Sequence, residues 1–312
     1  LGVSAKRVVL SMGYTFRDFG DLRGGKGIGV QGPSGYVQQS GDLKLTMRTT
    51  ANTTLVLAHQ QLRQDSVPVF HKIKLENYVL NHMNPQKRAM SYATWKGSSR
   101  SAWVSDWQVG VMRQETGEER QLRKASVDIE THEDDQVETW GFMASFLSIL
   151  SPNWKINSGA DWYQDRVGST RTRLSILNQT PSESLRGLYP DQARMMSTGV
   201  YSLHTFELSK WLFTAGIRYN ATALEIPSND LGVGRIRPEA WVANAGAVYK
   251  GGSYLNLVGG LNSSFRAPNI DDLGTLGIVD FRFEVPNTEL RPERGLNKEL
   301  GIKWKSQTLS AT

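Results

Sequence analysis

Residues 211–222 read Trp-Leu-Phe-Thr-Ala-Gly-Ile-Arg-Tyr-Asn-Ala-Thr. Trp211, Phe213, Ala215, Ile217 and Tyr219 occupy every second position, and Thr214, Gly216, Arg218 and Asn220 lie between them. A period of two puts the first set on one face of an extended chain and the second on the other. The stretch therefore predicts a strand with one apolar and one polar face. The same alternation recurs on both sides of it. It carries Val8, Leu10, Met12, Tyr14 and Phe16, then Leu43, Leu45 and Met47, then Trp103, Trp107, Val109 and Val111. Trp140, Phe142, Ala144 and Phe146 repeat it, as do Leu255, Leu257, Leu261 and Phe265, and finally Leu300, Ile302 and Trp304.

These patterns predict strands over 4–16, 37–49, 53–63, 88–96, 102–113, 137–150, 154–164, 194–207, 211–222, 239–249, 254–265 and 295–305, with a thirteenth beginning near Thr308. Most have ten or more residues. Strands of soluble proteins centre on about 5–6 residues, whereas a tilted membrane strand needs about 9–11. The connections alternate in length. Short ones fall at 50–52, 97–101, 151–153, 208–210, 250–253 and 306–307, and long ones at 17–36, 64–87, 114–136, 165–193, 223–238 and 266–294. Ser151-Pro152-Asn153 and Lys250-Gly251-Gly252 supply turn chemistry at two of the short ones. An antiparallel up-and-down transmembrane β-barrel accounts for the alternation, with tight periplasmic turns at one rim and long extracellular loops at the other.

Composition excludes a helical membrane span and leaves a β-barrel open. Of 312 residues, 39% are hydrophobic and 21% charged. The best apolar run, Phe142–Leu150, contains Ser145 and Ser148 and is far short of the roughly 18 residues a helical span needs. Without cysteine there is no disulfide framework, thiol nucleophile or thiolate metal site. The net charge of +6 is scattered among acidic residues, which reads as a solvated surface and not as a nucleic-acid face. Residues Leu1 to Arg7 lack the layout of a signal peptide. Trp95, Trp103, Trp154, Trp211 and Trp304 lie beside short connections and Trp140, Trp162 and Trp241 toward long ones, with Trp107 mid-strand. Two aromatic girdles at the bilayer interfaces would place them so.

The segment Phe265-Arg266-Ala267-Pro268-Asn269-Ile270-Asp271-Asp272-Leu273 is followed by Val285-Pro286-Asn287-Thr288-Glu289-Leu290-Arg291-Pro292-Glu293 and then by Asn297-Lys298-Glu299-Leu300-Gly301-Ile302-Lys303. In order and spacing these resemble the FRAP box, the NPNL-like box and the following strand of TonB-dependent outer-membrane receptors. Weaker similarities lie at Gln60–Pro68, Asn84-Pro85-Gln86, Trp162-Tyr163-Gln164-Asp165 and Ala215–Asn220. The resemblance implies a bacterial outer-membrane barrel of 22 strands, an N-terminal plug and a TonB box that couples import to the proton-motive force. About thirteen strands are expected here, and neither plug, TonB box nor terminal aromatic residue is found, so residues 1–312 are expected to be a partial barrel domain lying in outer-membrane lipid.

The resemblance also implies a ligand such as a ferric siderophore or haem, and no resident cofactor. Family motif positions are Phe265, Arg266, Ala267, Pro268, Pro286, Asn287 and Leu290, of which Arg266 and Asn287 are candidate ligand contacts. Haem receptors carry a His between the boxes, and none stands between Phe265 and Leu290. His71, His82 and His132 fall in expected loops and are further candidates, as are Tyr78, Arg166, Arg171, Arg173 and Tyr189 for an anionic siderophore. His59 and His204 fall within strands, where they line the lumen or meet a neighbour. The prolines also shape the loop, and Asp271-Asp272 can cap a short helical turn containing Leu273.

Two other readings stay open: a passive porin-like channel, and a surface β-domain acting as a binding module. The acidic run Glu130–Glu138 lacks the spacing of a calcium loop and reads as an exposed loop. Gly24-Gly25-Lys26-Gly27 lacks the order of a phosphate loop, and no Ser/His/Asp set has supporting motifs. No enzyme is expected.

Overall fold

The computed structural model describes residues 1–183, 187–228, 232–252, 254–274, 277–279, 282–284, 287, 289–305 and 310–311. Among the described residues, twelve long strands carry the fold. They are β1 (Val8–Phe19), β2 (Tyr36–Arg48), β3 (Thr53–Asp65), β4 (Tyr78–Ser98), β5 (Asp106–Lys124), β6 (Ile129–Ser151), β7 (Trp154–Ser175), β8 (Arg194–Leu208), β9 (Trp211–Ser228), β10 (Glu239–Lys250), β11 (Leu255–Arg266) and β12 (Glu293–Lys305). Each pairs antiparallel with the next, in one continuous sheet. Short strands flank its ends, Gly2–Ala5 on β1 and Ser310–Ala311 on β12, and among the described residues no pairing joins the two ends. Among the described residues two short helices interrupt loops: α1 (Phe70–Leu75) and α2 (Ile270–Gly274).

Register turns the alternation of single strands into two faces of one sheet. Between β9 and β10, Trp211 pairs with Tyr249, Phe213 with Ala247, Ala215 with Ala245, Ile217 with Ala243 and Tyr219 with Trp241. This row set continues into Val200 and Phe206 on β8 and into Leu257 and Leu261 on β11. The opposite face carries Arg218, Asn220, Asn244, Asn262 and several glycines. Ile217 is 50% exposed, Trp241 67% and Leu300 95%. A soluble sheet would bury such a face against a second layer; here it stays open, as required of a face that meets lipid. We call it the outward face.

Aromatic pairs bound the apolar belt. The Trp211 and Tyr249 rings lie 4.9 Å apart at the short-turn end, and the Tyr219 and Trp241 rings 5.0 Å apart at the other. Eight residues from Trp211 to Tyr219 span about 26 Å along the strand, or about 20 Å at the usual tilt, close to the band of roughly 25 Å that a membrane barrel presents.

The long connections differ from expectation in instructive ways. Residues 114–136 are not a loop: β5 runs to Lys124 and β6 starts at Ile129, leaving only 125–128 between them. Likewise β4 begins at Tyr78 and β7 continues to Ser175, so Arg166, Arg171 and Arg173 are strand residues. β6, with 23 residues, is about twice as long as a membrane crossing needs. These outer ends are polar on both faces, so no apolar period marks them; ladder hydrogen bonds and cross-strand ion pairs hold them instead. The expected strand 4–16 is split by a turn at Lys6–Arg7, which carries none of the usual turn residues.

Candidate functional site

On the inner face, above the belt, the polar wall gives way to a small apolar core. Val167 of β7, Leu224 and Ile226 of β9, Ile236, Ala193 and Leu273 of α2 are all buried there. Val137, Tyr189, Met195, Ile270 and Leu290 pack against them. Two of the long connections thus fold inward and lay apolar side chains on the inner wall.

Each inward loop is pinned by polar groups. In the loop after β7, Tyr189 N–H donates to Ser169 Oγ at 3.0 Å, and Ser169 N–H donates to Asp191 Oδ1 at 3.0 Å. In the loop after β11, Asn269 and Asp272 cap α2 reciprocally: Asp272 N–H donates to Asn269 Oδ1 at 2.7 Å, and Asn269 N–H donates to Asp272 Oδ2 at 3.0 Å. Asn269 is therefore the cap, with Asp272 as its partner. Arg266 bridges Asp272 Oδ2 at 2.7 Å and Glu293 Oε1 at 2.8 Å, tying α2 to the strands on either side of the loop. The Asn269 amide and Arg266 hold the Asp272 carboxyl below its ordinary range.

Arg266 thus joins α2 to β12 while more than half of its side chain stays exposed. Phe265 continues the outward row of β11, Ala267 follows it half-buried, Pro268 is buried, and Leu290 packs on the inner core. Asn287 is exposed and its Oδ1 accepts the Glu289 N–H at 2.9 Å, a local turn. Pro286 lies outside the described residues.

The histidines are not gathered. His71 sits on α1, exposed. His82 and His132 are not loop residues: they lie in β4 and β6, because the strands extend past the belt. Both face Gln121 of β5, one from each side, which leaves them about 9–10 Å apart on the outward row. His132 Nε2 lies 2.8 Å from Glu130 Oε1. Among the described residues no group of His, Asp and Glu is arranged to hold a metal. His59 and His204 also occupy outward rows and meet neighbours, His59 at Ser91 Oγ (2.8 Å) and His204 at Trp154 Nε1 (3.3 Å).

Two inner-face clusters escaped the sequence reading. Near the outer rim, the side chain of Glu133 is 4% exposed and accepts from Arg120 Nε at 2.7 Å and Arg171 Nε at 2.8 Å. The run Glu130–Glu138 is therefore a strand with a buried carboxylate, not an exposed loop. Counting by twos across the three strands would have aligned Arg120, Glu133 and Arg171. At belt level, Arg218 pairs with Asp161 at 2.8 Å, donates to Asn220 Oδ1 at 2.6 Å and lies over the Tyr201 ring. The alternation around 215–220 had already put Arg218 on the polar face.

The TonB-dependent receptor β-barrel family model matches residues 7–312. No curated protein matches in sequence. Among solved structures, the copper transporter OprC superposes with a TM-score of 0.82 at 11% identity, over 98% of this chain and 48% of that one. The FrpB iron transporter of Neisseria meningitidis gives 0.73 at 14% identity, over 98% and 48%. The Serratia marcescens hemophore receptor HasR, in complex with its hemophore HasA and heme, gives 0.74 at 15% identity, over 99% and 48%. The chain spans about half the length of each, and these identities speak to fold alone. With most of its length matched by the family model, the chain belongs to the TonB-dependent receptors, through their β-barrel.

Proposed function

We propose that the whole protein is an outer-membrane importer of an iron compound, a ferric siderophore or haem, driven through TonB by the proton-motive force. The observation that carries this reading is the inward packing of the loops after β7 and β11 on the inner wall. A passive pore keeps its lumen open along the wall, whereas loops pinned across the inner face offer a binding surface at the mouth. The inner wall there offers guanidinium donors to an oxygen-rich iron chelate: Arg120 and Arg171, 22% and 27% exposed, flank the carboxylate of Glu133. The plug and TonB box belong, in this reading, to sequence beyond residues 1–312.

A second reading is import of a copper ion. Met90, Met112 and Met143 lie on inner rows of the consecutive strands β4, β5 and β6, and thioethers are soft ligands. Deleting the gene and supplying ferric siderophores, haem or copper singly under starvation separates the two. Loss of growth on one iron source alone supports the first, loss on copper alone supports the second, and growth unchanged on all refutes import.

A further inference from the structure

One row of the inner wall runs unbroken from β2 to β7. Gln38, Gln64, Gln86, Glu118, Asp135 and Ser169 are successive register partners along it. Gln64 donates to Gln38 Oε1 at 2.8 Å, and Gln86 to Glu118 Oε2 at 2.6 Å. Ser169 Oγ donates to Asp135 Oδ1 at 2.5 Å. Glu118 and Asp135 thus stand directly opposite each other, about 5 Å apart at Cα, and the row holds no cation. The guanidiniums of the adjacent rows are engaged elsewhere. Arg120 and Arg171, one row farther out, hold Glu133, and Arg88, one row farther in, turns away to Gln114. The two carboxylates line a hollow of about 320 Å³ together with Gln86, Val167 and Tyr189.

The loop after β7 is seated on this pair. Ser169 is 2% exposed, and Gly187 lies so close to it that a Cβ there would come 2.6 Å from the Ser169 carbonyl carbon. The Tyr189 N–H donates to the same hydroxyl that reaches Asp135, and Asp191 accepts the Ser169 N–H. Docking the loop therefore takes Asp135 partly out of water beside a second carboxylate. We propose that Asp135 and Glu118 form a proton-operated latch: with a proton shared between them the loop after β7 stays docked on the inner wall, and loss of that proton releases it. The latch regulates the ligand surface proposed above and to that extent rests on the import reading. Its direction follows from linkage. Burial, with Glu133 and Glu118 nearby, holds the Asp135 carboxyl above its ordinary range in the docked state, against the pull of the Ser169 hydroxyl and Arg120. Undocked and hydrated, it returns toward about 3.9. The docked loop thus binds the proton more tightly. Docking is strongest below the undocked value, weakens as pH rises, and loses this contribution above the higher docked value. Burial and the charges of Asp271, Asp135 and Glu118 push the Tyr189 phenol up, so it stays neutral over this range.

The test is amide hydrogen exchange of the full-length receptor in nonionic detergent, without ligand, from pH 4 to pH 8 and corrected for intrinsic rates. Exchange at Leu188–Ala193 should rise about threefold or more across that range. Asn269–Leu273, clamped through Asp272, should stay constant from pH 5 to 8 and serves as the internal control. Asp135→Asn keeps an acceptor for Ser169 and gains a donor toward Glu118 without charge, so its loop should keep the slow exchange of pH 4 at every pH. Glu118→Gln removes the facing charge and should shrink the response. A flat profile in the parent, a pH response that survives in Asp135→Asn, or one left undiminished by Glu118→Gln would each overturn the latch. Heat-modifiable migration reports an intact barrel, and if Asp135→Asn loses it, Glu118→Gln carries the comparison. A flat exchange profile sinks only the latch, whereas a receptor whose deletion costs growth on no iron source sinks only the import reading.

Discussion

Ala215 and Thr214 are neighbours in sequence and opposites in environment. Ala215 is on the outward row of β9, four residues from Trp211 and four from Tyr219, so it sits about 13 Å along the strand from each aromatic boundary, at the midplane of the belt. Thr214 faces the lumen, where its partner Gly246 leaves space beside it. An arginine at the midplane of a membrane barrel costs about 2–4 kcal/mol on the lipid face, which lowers the folded-to-unfolded ratio by a factor of roughly 30 to 900. An arginine on the inner face meets no lipid, so this penalty does not apply to it.

Ala215→Arg should therefore be severely destabilised in urea titrations of the full-length receptor refolded into lipid vesicles, and Thr214→Arg distinctly less so. Trp211→Arg, at the belt edge, should fall between, since the charge penalty fades to about 0–1 kcal/mol there and the lost aromatic packing adds to it. The reasoning fails if Thr214→Arg costs as much as Ala215→Arg, because the two faces would then be energetically equivalent. It fails also if Ala215→Arg unfolds at the parental urea concentration.

Three further outcomes follow from particular contacts. Glu133→Gln removes the charge shared by Arg120 and Arg171; because those arginines stay 22% and 27% exposed, the cost should be about 1–3 kcal/mol, less than for a fully buried triad, and confined to the outer ends of β5–β7. Hydrogen exchange there should speed up about 5- to 150-fold, and unchanged exchange would argue against the triad. Gly159→Ala would place its Cβ 2.5 Å from the Ala144 carbonyl oxygen, a backbone atom that cannot swing aside, so about 1–3 kcal/mol should be lost; Gly259→Ala, meeting only Leu300 Cδ2 at 3.5 Å, is the control expected to be near neutral. The Asp272 carboxyl, held below its ordinary value, adds stability that is present above that value and lost as pH falls through its lower folded value. Amide exchange at Asn269–Leu273 should thus stay constant from pH 8 to 5, once corrected for intrinsic rates, and rise only below about pH 4; loosening already at pH 6 would contradict the clamp.

The belt was legible because lipid on one side and a polar lumen on the other force residues such as Phe213 and Thr214 to alternate, and alternation is what a single sequence displays. The outer wall was not legible for the converse reason. With water on both sides of β5 and β6 above Trp140, nothing requires residues 114–124 or 129–138 to alternate in hydrophobicity, and they read as loop. His82 and His132 were displaced with them. The inner core was hidden differently. Val167, Ala193, Leu224, Ile236 and Leu273 come from separate segments, each contributing one or two apolar residues with no period, so only register and loop docking bring them together. The boxes around 265–293 signalled the family, but not the ion pairs by which Arg266 ties α2 to β12, which motif spacing does not show.

Under the proposed orientation, the inner wall presents its groups to an incoming ligand in a definite order. Glu133 lies seven residues beyond Trp140 on β6, about 23 Å along the strand, so the Arg120–Glu133–Arg171 cluster is met first, well outside the bilayer. Val137, three residues beyond Trp140, marks the level of the apolar core where the two inward loops dock. Asp161 and Arg218, beside Trp162 and Tyr219, follow at the membrane boundary. A charged cluster, an apolar patch and a second charged pair thus stand in that order along the inner wall. The patch is built from loops held by a few side-chain bonds, whereas both charged levels stand on continuous strands. Of the three, the apolar level is therefore the one able to yield when a ligand arrives, and the loops after β7 and β11 are where a difference between ligand-free and ligand-bound protein should be concentrated.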